Sequence, residues 1–462
     1  MHMLSPHTYA ARRAALADRI GGLVVLLGNA PAPMNYAGNV YPFRQDGSFL
    51  YYAGLDEPGL ALALDGDTGA ATLYGHEPTM ADVLWEGPLA SMGERAARAG
   101  IARTAAPEAL AEAVREAQRA GREVHVLPPY RGEHALRLGH VLGVAPEAVA
   151  PSRALIEAVV AQRLVKTDEE VAEIERAVAV AVEMHTAAMR MAQPGTSERE
   201  IAAEMEAVAA RAGGFTSFPL IVTRRGEVLH NGASGAVLEA GDLLLHDGGA
   251  AAPSRYVSDL TRVSPVGGSF APRQRQVVRA VVAAQEAALA ACAPGVSFRE
   301  VHDLAARTLV EHLIEMGLMT GDPAEAVAAG AHALFFPHGL GHAMGLDVHD
   351  MEALGEDHVG YGAEASRSDQ FGTAYLRFAR PLAPGHVMTV EPGCYFIGPL
   401  VEQWRAEDCH PEFLRYGEIE KWVGLGGVRI EDDIVITADG HRVLGPPLAK
   451  TPETIEAVVR GG

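Results

Sequence analysis

The sequence predicts an α+β protein of two domains: a smaller α/β domain, then a larger one in which antiparallel strand hairpins lie against helices. Three observations lead there. A chain of 462 residues exceeds what one hydrophobic core usually supports. Up to about Ala150, short apolar runs alternate with helical stretches. Beyond it, two segments repeat one another, and each leads into a pair of strands carrying acids. The boundary falls near residue 160, giving domains over 1–160 and 161–462.

In the first domain Leu23–Leu27, Ala61–Leu64, Ala71–Tyr74 and Glu123–Leu127 read as buried strands bounded by turn residues, with helices such as Pro107–Ala120 between them. Pro146 and Pro151 mark the passage to the second domain. Thr167 with Glu170 three residues on is a capping box, and Val171, Ile174, Ala177, Val178 and Val182 follow at helical spacing. Ser197 with Glu200 caps a second helix that ends near Gly213 and Gly214. A third runs over Pro272–Ala293 and a fourth over Phe298–Met316. An antiparallel sheet with helices on one face is the layering such an order predicts.

Composition narrows the function classes. With 48% hydrophobic and 21% charged residues, the chain is an ordinary soluble globular protein. Its formal net charge of −21 argues against nucleic acid or an anionic membrane surface as a partner, since both are negative. Cys292, Cys394 and Cys409 are odd in number and without paired spacing, so they indicate neither a disulfide framework nor a thiolate zinc site. The apolar run Gly21–Leu27 is far too short to span a bilayer. A cytoplasmic, reducing location is the expectation.

The repeat is the most informative feature. Gly241-Asp242-Leu243-Leu244-Leu245-His246-Asp247 lies over Gly385-His386-Val387-Met388-Thr389-Val390-Glu391, so each apolar run ends in an acid in the same place. A second strand follows each copy, with Asp259 in Tyr256–Arg262 and Glu431 in Val428–Ile434. Any one of these acids alone reads equally well as a turn cap or the partner of a surface Arg. All four occupy matched places in apolar strands, where an unpaired carboxylate is costly. Asp247, Asp259, Glu391 and Glu431 together offer enough oxygens to bridge two cations about 3.5–4 Å apart, and oxygen donors favour hard or borderline ions.

Between the hairpins lies Phe335-Phe336-Pro337-His338-Gly339-Leu340-Gly341-His342-Ala343-Met344-Gly345-Leu346-Asp347-Val348-His349-Asp350. His338 and His342 have the spacing of a helical zinc motif, but Gly339 stands where that motif needs a general-base Glu. Gly341 and Gly345 also oppose a regular helix. A helical zinc protease is therefore excluded. A lone His is as often structural as functional; three beside Gly-rich turns between two acid hairpins favour function.

Asp247 and Asp259, His342 in Pro337-His338-Gly339-Leu340-Gly341-His342, Glu391 in Val390-Glu391-Pro392-Gly393, and Glu431 in Gly427-Val428-Arg429-Ile430-Glu431-Asp432 resemble an ordered Asp, Asp, His, Glu, Glu ligand set. It is that of the pita-bread metallopeptidases, and the likeness is greatest to their proline-specific branch, aminopeptidase P and prolidase. Tyr41–Gln45 and Phe49–Pro58 likewise resemble the creatinase-like amino-terminal domain of those enzymes. The resemblance implies a pita-bread catalytic domain from about Thr167 onward, preceded by the smaller α/β domain. It implies two divalent metal ions, Mn²⁺ first, with Co²⁺ or Zn²⁺ also suited. Asp247 and His342 would serve different metals, Asp259 and Glu431 would bridge both, and Glu391 would bind one and take a proton from the shared water. The resulting hydroxide would attack the carbonyl of an Xaa-Pro bond.

By the same resemblance, His230 in Val228-Leu229-His230-Asn231, His338 and His349 lie on the substrate side. Tyr395 would be a pocket Tyr and Arg429 an arginine behind the ligands that either touches substrate or, at least as readily, makes a structural salt bridge to Glu431 or a neighbour. The implied substrates are short Xaa-Pro peptides. The long insert before Glu431, through Gln403–His410, resembles animal-type prolidase, and Arg377 would there grip a dipeptide's free carboxylate or else be a solvated loop Arg. The stretch Met351–Asp357 and the loop to Phe371 instead resemble bacterial aminopeptidases P. The reading is an Xaa-Pro aminopeptidase, with Xaa-Pro dipeptidase second. An inactive pita-bread binding module and a creatinase-like enzyme are both disfavoured by the complete ligand set. The family implies a homodimer or homotetramer. Trp85 resembles a tryptophan that approaches a neighbouring subunit's site, although a half-buried core aromatic is the simpler reading.

Overall fold

The computed structural model describes residues 4–461. The chain divides into two compact units. The first ends at Arg163 and takes in Met351–Val359; the second runs from Leu164 to Asp350 and resumes at Gly360.

The first unit is built on a mixed five-stranded sheet in the order Arg103–Ala105, Ala71–Tyr74, Ala61–Asp65, Leu23–Leu27, Val124–Val126. Leu23–Leu27 is buried along its whole length and pairs antiparallel with Ala61–Asp65 and parallel with Val124–Val126. A central strand covered on both faces reads as an unbroken apolar run, which is why Leu23-Val24-Val25-Leu26-Leu27 is so legible. Arg103–Ala105 was not expected: three residues, largely exposed, at a sheet edge give no apolar pattern. Leu110, Val114 and Ala117 of the helix Ala109–Arg119 pack with Leu138 and Val141 against the sheet's Val25, Leu27 and Ala63. The Tyr41–Gln45 segment is held by buried Gln45, whose carboxamide accepts from Asn29 N–H at 2.7 Å and donates to Leu55 O at 3.1 Å and Glu57 O at 2.8 Å.

Trp85 corrects an expectation. The residue is 89% exposed, on the short helix Met80–Glu86, which buries none of its residues and also exposes Leu84 and Met80. It is no core aromatic.

In the second unit the two capping boxes form as expected: Thr167 and Glu170 open the helix Asp168–Met191, and Ser197 and Glu200 open Glu198–Arg211. The helices Pro272–Ala291 and Phe298–Glu315 follow, packed on each other. The strands differ from a single sheet. Among the described residues they form two three-stranded antiparallel sheets, one ordered Leu260–Pro265, Leu243–Gly248, Ile221–Thr223 and the other Val387–Val390, Asp432–Ile436, His441–Val443, and two two-stranded pairs, Phe215–Thr216 with Ala250–Ala251 and Gly393–Tyr395 with Gly427–Arg429. The bridge of Thr261 to Glu431 links the two three-stranded sheets. The insert before Glu431 carries the helices Gly398–Ala406 and Tyr416–Ile419, and Trp422 beyond them stacks on Phe396. Among the described residues no helix is long and apolar enough to cross a membrane.

Candidate metal centre and substrate pocket

The acids stand at strand ends and at the junction of the two sheets rather than in mid-strand. Asp247 is the penultimate residue of Leu243–Gly248, and Asp259 directly precedes Leu260–Pro265. Glu391 follows Val387–Val390, and Glu431 fills the gap between Gly427–Arg429 and Asp432–Ile436. The Glu431 N–H donates to Thr261 O at 3.1 Å, so the bridge between the sheets passes through a candidate ligand. In a regular ladder successive side chains alternate faces. Breaks at these points let acids from four separate strand ends converge.

His342 joins them from the Gly-rich segment. That segment is not helical: a Cβ on Gly341 would lie 2.1 Å from Thr389 O, so only glycine permits the approach. Thr389 and His342 exchange bonds there, with Thr389 N–H donating to His342 O at 3.0 Å and His342 N–H donating to Thr389 Oγ1 at 3.0 Å. The His342 Nδ1–H donates to Ala343 O at 3.2 Å, so Nε2 is the nitrogen that faces the carboxylates. Nε2 lies 3.5 Å from Asp259 Oδ2 and 3.6 Å from Glu391 Oε1.

Ligand atoms of Asp259, His342 and Glu431 lie within 4.8 Å of one another. Asp247 Oδ1 and Asp259 Oδ1 are buried without a hydrogen-bond partner. Burial, and then the neighbouring carboxylates, raise the Asp259 and Glu431 carboxyls well above the ordinary range and push Glu391 up to about 8. These three carboxyls in so dry a place cannot all ionise unless positive charge joins them. Oxygen donors with one imidazole, two of the oxygens orphaned, fit a pair of hard or borderline divalent cations.

One cation of the chain's own is already present. Arg429, fully buried, donates to Asp247 Oδ2, to Tyr395 Oη at 2.9 Å and through Nε to Thr261 Oγ1 at 3.1 Å. Its ion pair is therefore with Asp247, not Glu431. Thr261 passes the contact on, its hydroxyl donating to Glu431 Oε2 at 2.5 Å. Asp433 Oδ2 accepts the Asp259 N–H at 3.0 Å. Thr261 and Asp433 were not foreseen, yet each is two residues from a candidate ligand in a strand, the spacing that returns a side chain to the same face.

The donors open onto a cavity of about 520 Å³ whose wall includes His230, His338, His349, Arg377, Leu229 and Phe218. The His349 ring centroid lies 4.4 Å from that of His342. His338 spends both ring nitrogens inside the protein: Nδ1–H donates to Gly339 O at 2.8 Å, and Nε2 accepts from the Tyr395 hydroxyl at 2.9 Å. Burial and the nearby Arg429 charge pull its pKa down to about 3, so the ring is neutral. Tyr395 itself is fully buried behind His338, a support of the wall rather than part of its surface.

This geometry can be set beside known proteins. Residues 172–438 match the profile of metallopeptidase family M24, and residues 9–126 match the amino-terminal domain of aminopeptidase P. The chain belongs to metallopeptidase family M24. It is a metallopeptidase of the aminopeptidase P and prolidase kind, with an aminopeptidase-P-type amino-terminal domain and a pita-bread catalytic domain. It is 31% identical to Xaa-Pro dipeptidase of Homo sapiens over 98% of this chain and 93% of that one. To Xaa-Pro aminopeptidase of Escherichia coli strain K12 it is also 31% identical, over 99% of both chains. The structure of Escherichia coli aminopeptidase P in complex with substrate superposes with a TM-score of 0.82 at 28% identity, covering 100% of this chain and 99% of that one. A zinc-substituted form of that enzyme with product gives 0.81 at 29% identity, with the same coverage.

Proposed function

We propose that the protein is an Xaa-Pro aminopeptidase that removes the first residue of short peptides having proline second. It would use two divalent cations, Mn²⁺ first, held by Asp247, Asp259, His342, Glu391 and Glu431. The observation that carries this reading is the convergence of these five donors on one cavity that His230, His338 and His349 also line. Bound there, two cations would supply the charge that polarises a scissile carbonyl and makes water acidic near neutral pH.

The chain's own groups supply the rest. The Glu391 carboxylate takes a proton from the attacking water and returns it to the proline nitrogen as the bond breaks. His349, beside His342, and His230 offer ring N–H groups to the oxygen on which negative charge grows. His338, its nitrogens occupied, meets the proline with carbon rather than with a proton. Arg429 and Thr261 hold Asp247 and Glu431 in register and keep water from competing for them.

A second reading, Xaa-Pro dipeptidase, is favoured by Arg377, which lines the same cavity. A guanidinium there suits the free carboxylate that a dipeptide presents just after its proline. Metal-stripped protein reloaded with Mn²⁺ and given Ala-Pro and Ala-Pro-Ala separates the two by release of free alanine. Preference for the tripeptide is expected. Cleavage of the dipeptide alone would make it a dipeptidase, in which case Arg377→Met should raise KM for Ala-Pro about tenfold or more through the lost charge-assisted bond. No cleavage with any metal would overturn both.

A further inference from the structure

The helices Glu198–Arg211 and Phe298–Glu315 open on related segments, Pro194-Gly195-Thr196-Ser197-Glu198-Arg199-Glu200 and Pro294-Gly295-Val296-Ser297-Phe298-Arg299-Glu300. Their backbones are tied alike. Gly195 N–H donates to Leu238 O at 2.9 Å and Gly295 N–H to Leu382 O at 2.8 Å; Glu198 N–H donates to Ala236 O at 3.0 Å and Phe298 N–H to Arg380 O at 3.2 Å. The side chains at that last position differ in kind. Phe298 is fully buried, edge-on to Phe378 with centroids 6.0 Å apart. Glu198 is buried as deeply, at 1% exposure. The second half shows that an apolar side chain serves this place, and an acid there is costly unless its oxygens are satisfied.

They are satisfied by one segment. Glu198 Oε1 accepts from Arg224 N–H at 2.8 Å, and Oε2 accepts from Ser234 N–H at 3.0 Å and from the Ser234 hydroxyl at 2.5 Å. Arg224 and Ser234 are the two feet of a loop that leaves the strand Ile221–Thr223 and returns to pair Gly232 with Ile221. Asn231 Nδ2 donates to Thr223 Oγ1 at 2.8 Å and fixes the returning limb. Leu229 and His230, between the feet, line the cavity. One carboxylate thus joins both ends of the piece of chain that carries a wall of the pocket.

We infer that Glu198 is a positioning residue for substrate recognition, holding the 224–234 loop closed so that Leu229 and His230 keep their place against the peptide. This rests on the reading of the cavity as an Xaa-Pro peptide site. The interaction is specific for a carboxylate, because all three groups facing it are donors. Glu198→Gln keeps the shape but turns an N–H toward a donor and frees one foot.

The experiment compares full-length wild type, Glu198→Gln and Ser234→Ala, loaded with Mn²⁺, by hydrogen exchange over 224–234, metal content, and kinetics on Ala-Pro-Ala. In Glu198→Gln, exchange in the loop should rise and metal content should stay that of wild type. KM should rise about tenfold, one decade of binding, and kcat should fall with it, because His230 on the loop is a donor to the developing oxyanion while the metal ligands are untouched. Ser234→Ala removes one of the three bonds and should shift exchange and KM in the same direction by less; it carries the test if Glu198→Gln does not fold. Unchanged exchange in the loop would overturn the inference, as would faster exchange with KM unmoved. If wild type cleaves no Xaa-Pro peptide, the functional reading fails by itself, and loop exchange still decides whether Glu198 holds the segment.

Discussion

In the first half of the catalytic unit the helices Asp168–Met191 and Glu198–Arg211 lead to the hairpin of Leu243–Gly248 and Leu260–Pro265. In the second, Pro272–Ala291 and Phe298–Glu315 lead to Val387–Val390 and Asp432–Ile436. Both hairpins bring two acids, but the connections from helix to hairpin diverge. The first is short and brings one ionisable side chain, His230, to the cavity beside apolar Phe218, Ile221 and Leu229; the second is long and brings His338, His342, His349 and Arg377. The repeated scaffold thus supplies the carboxylates, and the unrepeated connections supply the histidines and Arg377 that line the cavity beside them. The halves are also tied reciprocally at the acids. Arg429 of the second holds Asp247 of the first, Thr261 of the first holds Glu431 of the second, and Asp433 accepts from the Asp259 backbone. A centre held in this way belongs to neither half, and each experiment below asks whether that is so.

The largest effect is expected on removing an acid. Asp259→Ala should lose metal and turnover together despite leaving the second half's donors intact, as measured by metal content and alanine release; normal activity would break the two-metal reading. Its foil is Glu391→Gln, which should retain part of its metal while kcat falls about 10²–10⁴-fold for want of a proton acceptor. Next in size is the tie between halves. Arg429→Met should weaken metal affinity about 10–100-fold, the usual cost of losing a group that orients a ligand, read by titration of the metal-free protein with Mn²⁺. An unchanged affinity would mean that each half holds its own acids.

The smallest effect is on stability against pH. The Asp259, Glu391 and Glu431 carboxyls have raised pKa values in the folded, metal-free protein, with Glu391 at about 8. The folded state then holds protons that the unfolded state has released, so these groups lose their stabilising contribution as pH rises from the ordinary carboxyl range toward about 8. Buried His185, His246 and His302, with pKa values lowered by burial, act in the opposite sense with or without metal. The quantity to read is therefore the gap in Tm between Mn²⁺-loaded and stripped protein, which should widen from pH 5 to about pH 8. A constant gap would show that the acids do not share one buried field.

Much of this was legible in the chain. The capping residues Thr167 and Ser197 gave the helix starts, and the matched apolar runs before Asp247 and Glu391 gave the hairpins, because both signals are local. What stayed hidden was non-local. Nothing near Glu431 in sequence says that its strand breaks to bridge Thr261, nor that Arg429 turns to Asp247 rather than to its own neighbour. Trp85 was misjudged because a large aromatic is usually buried, and the exposure of a seven-residue helix depends on what else the fold leaves beside it. Glu198 lies directly after a capping Ser and reads there as an ordinary acid of a first helical turn; only the folded loop shows what it holds.

His338 has a consequence for the design of inhibitors. A compound that spends a hydrogen-bonding group on this ring gains little, because Gly339 and Tyr395 already occupy both nitrogens and would have to be displaced. A compact saturated ring offering only carbon to that wall loses nothing on leaving water, so selectivity is better sought at His230, on the loop peculiar to the other half, than at the histidine nearest the ligand motif.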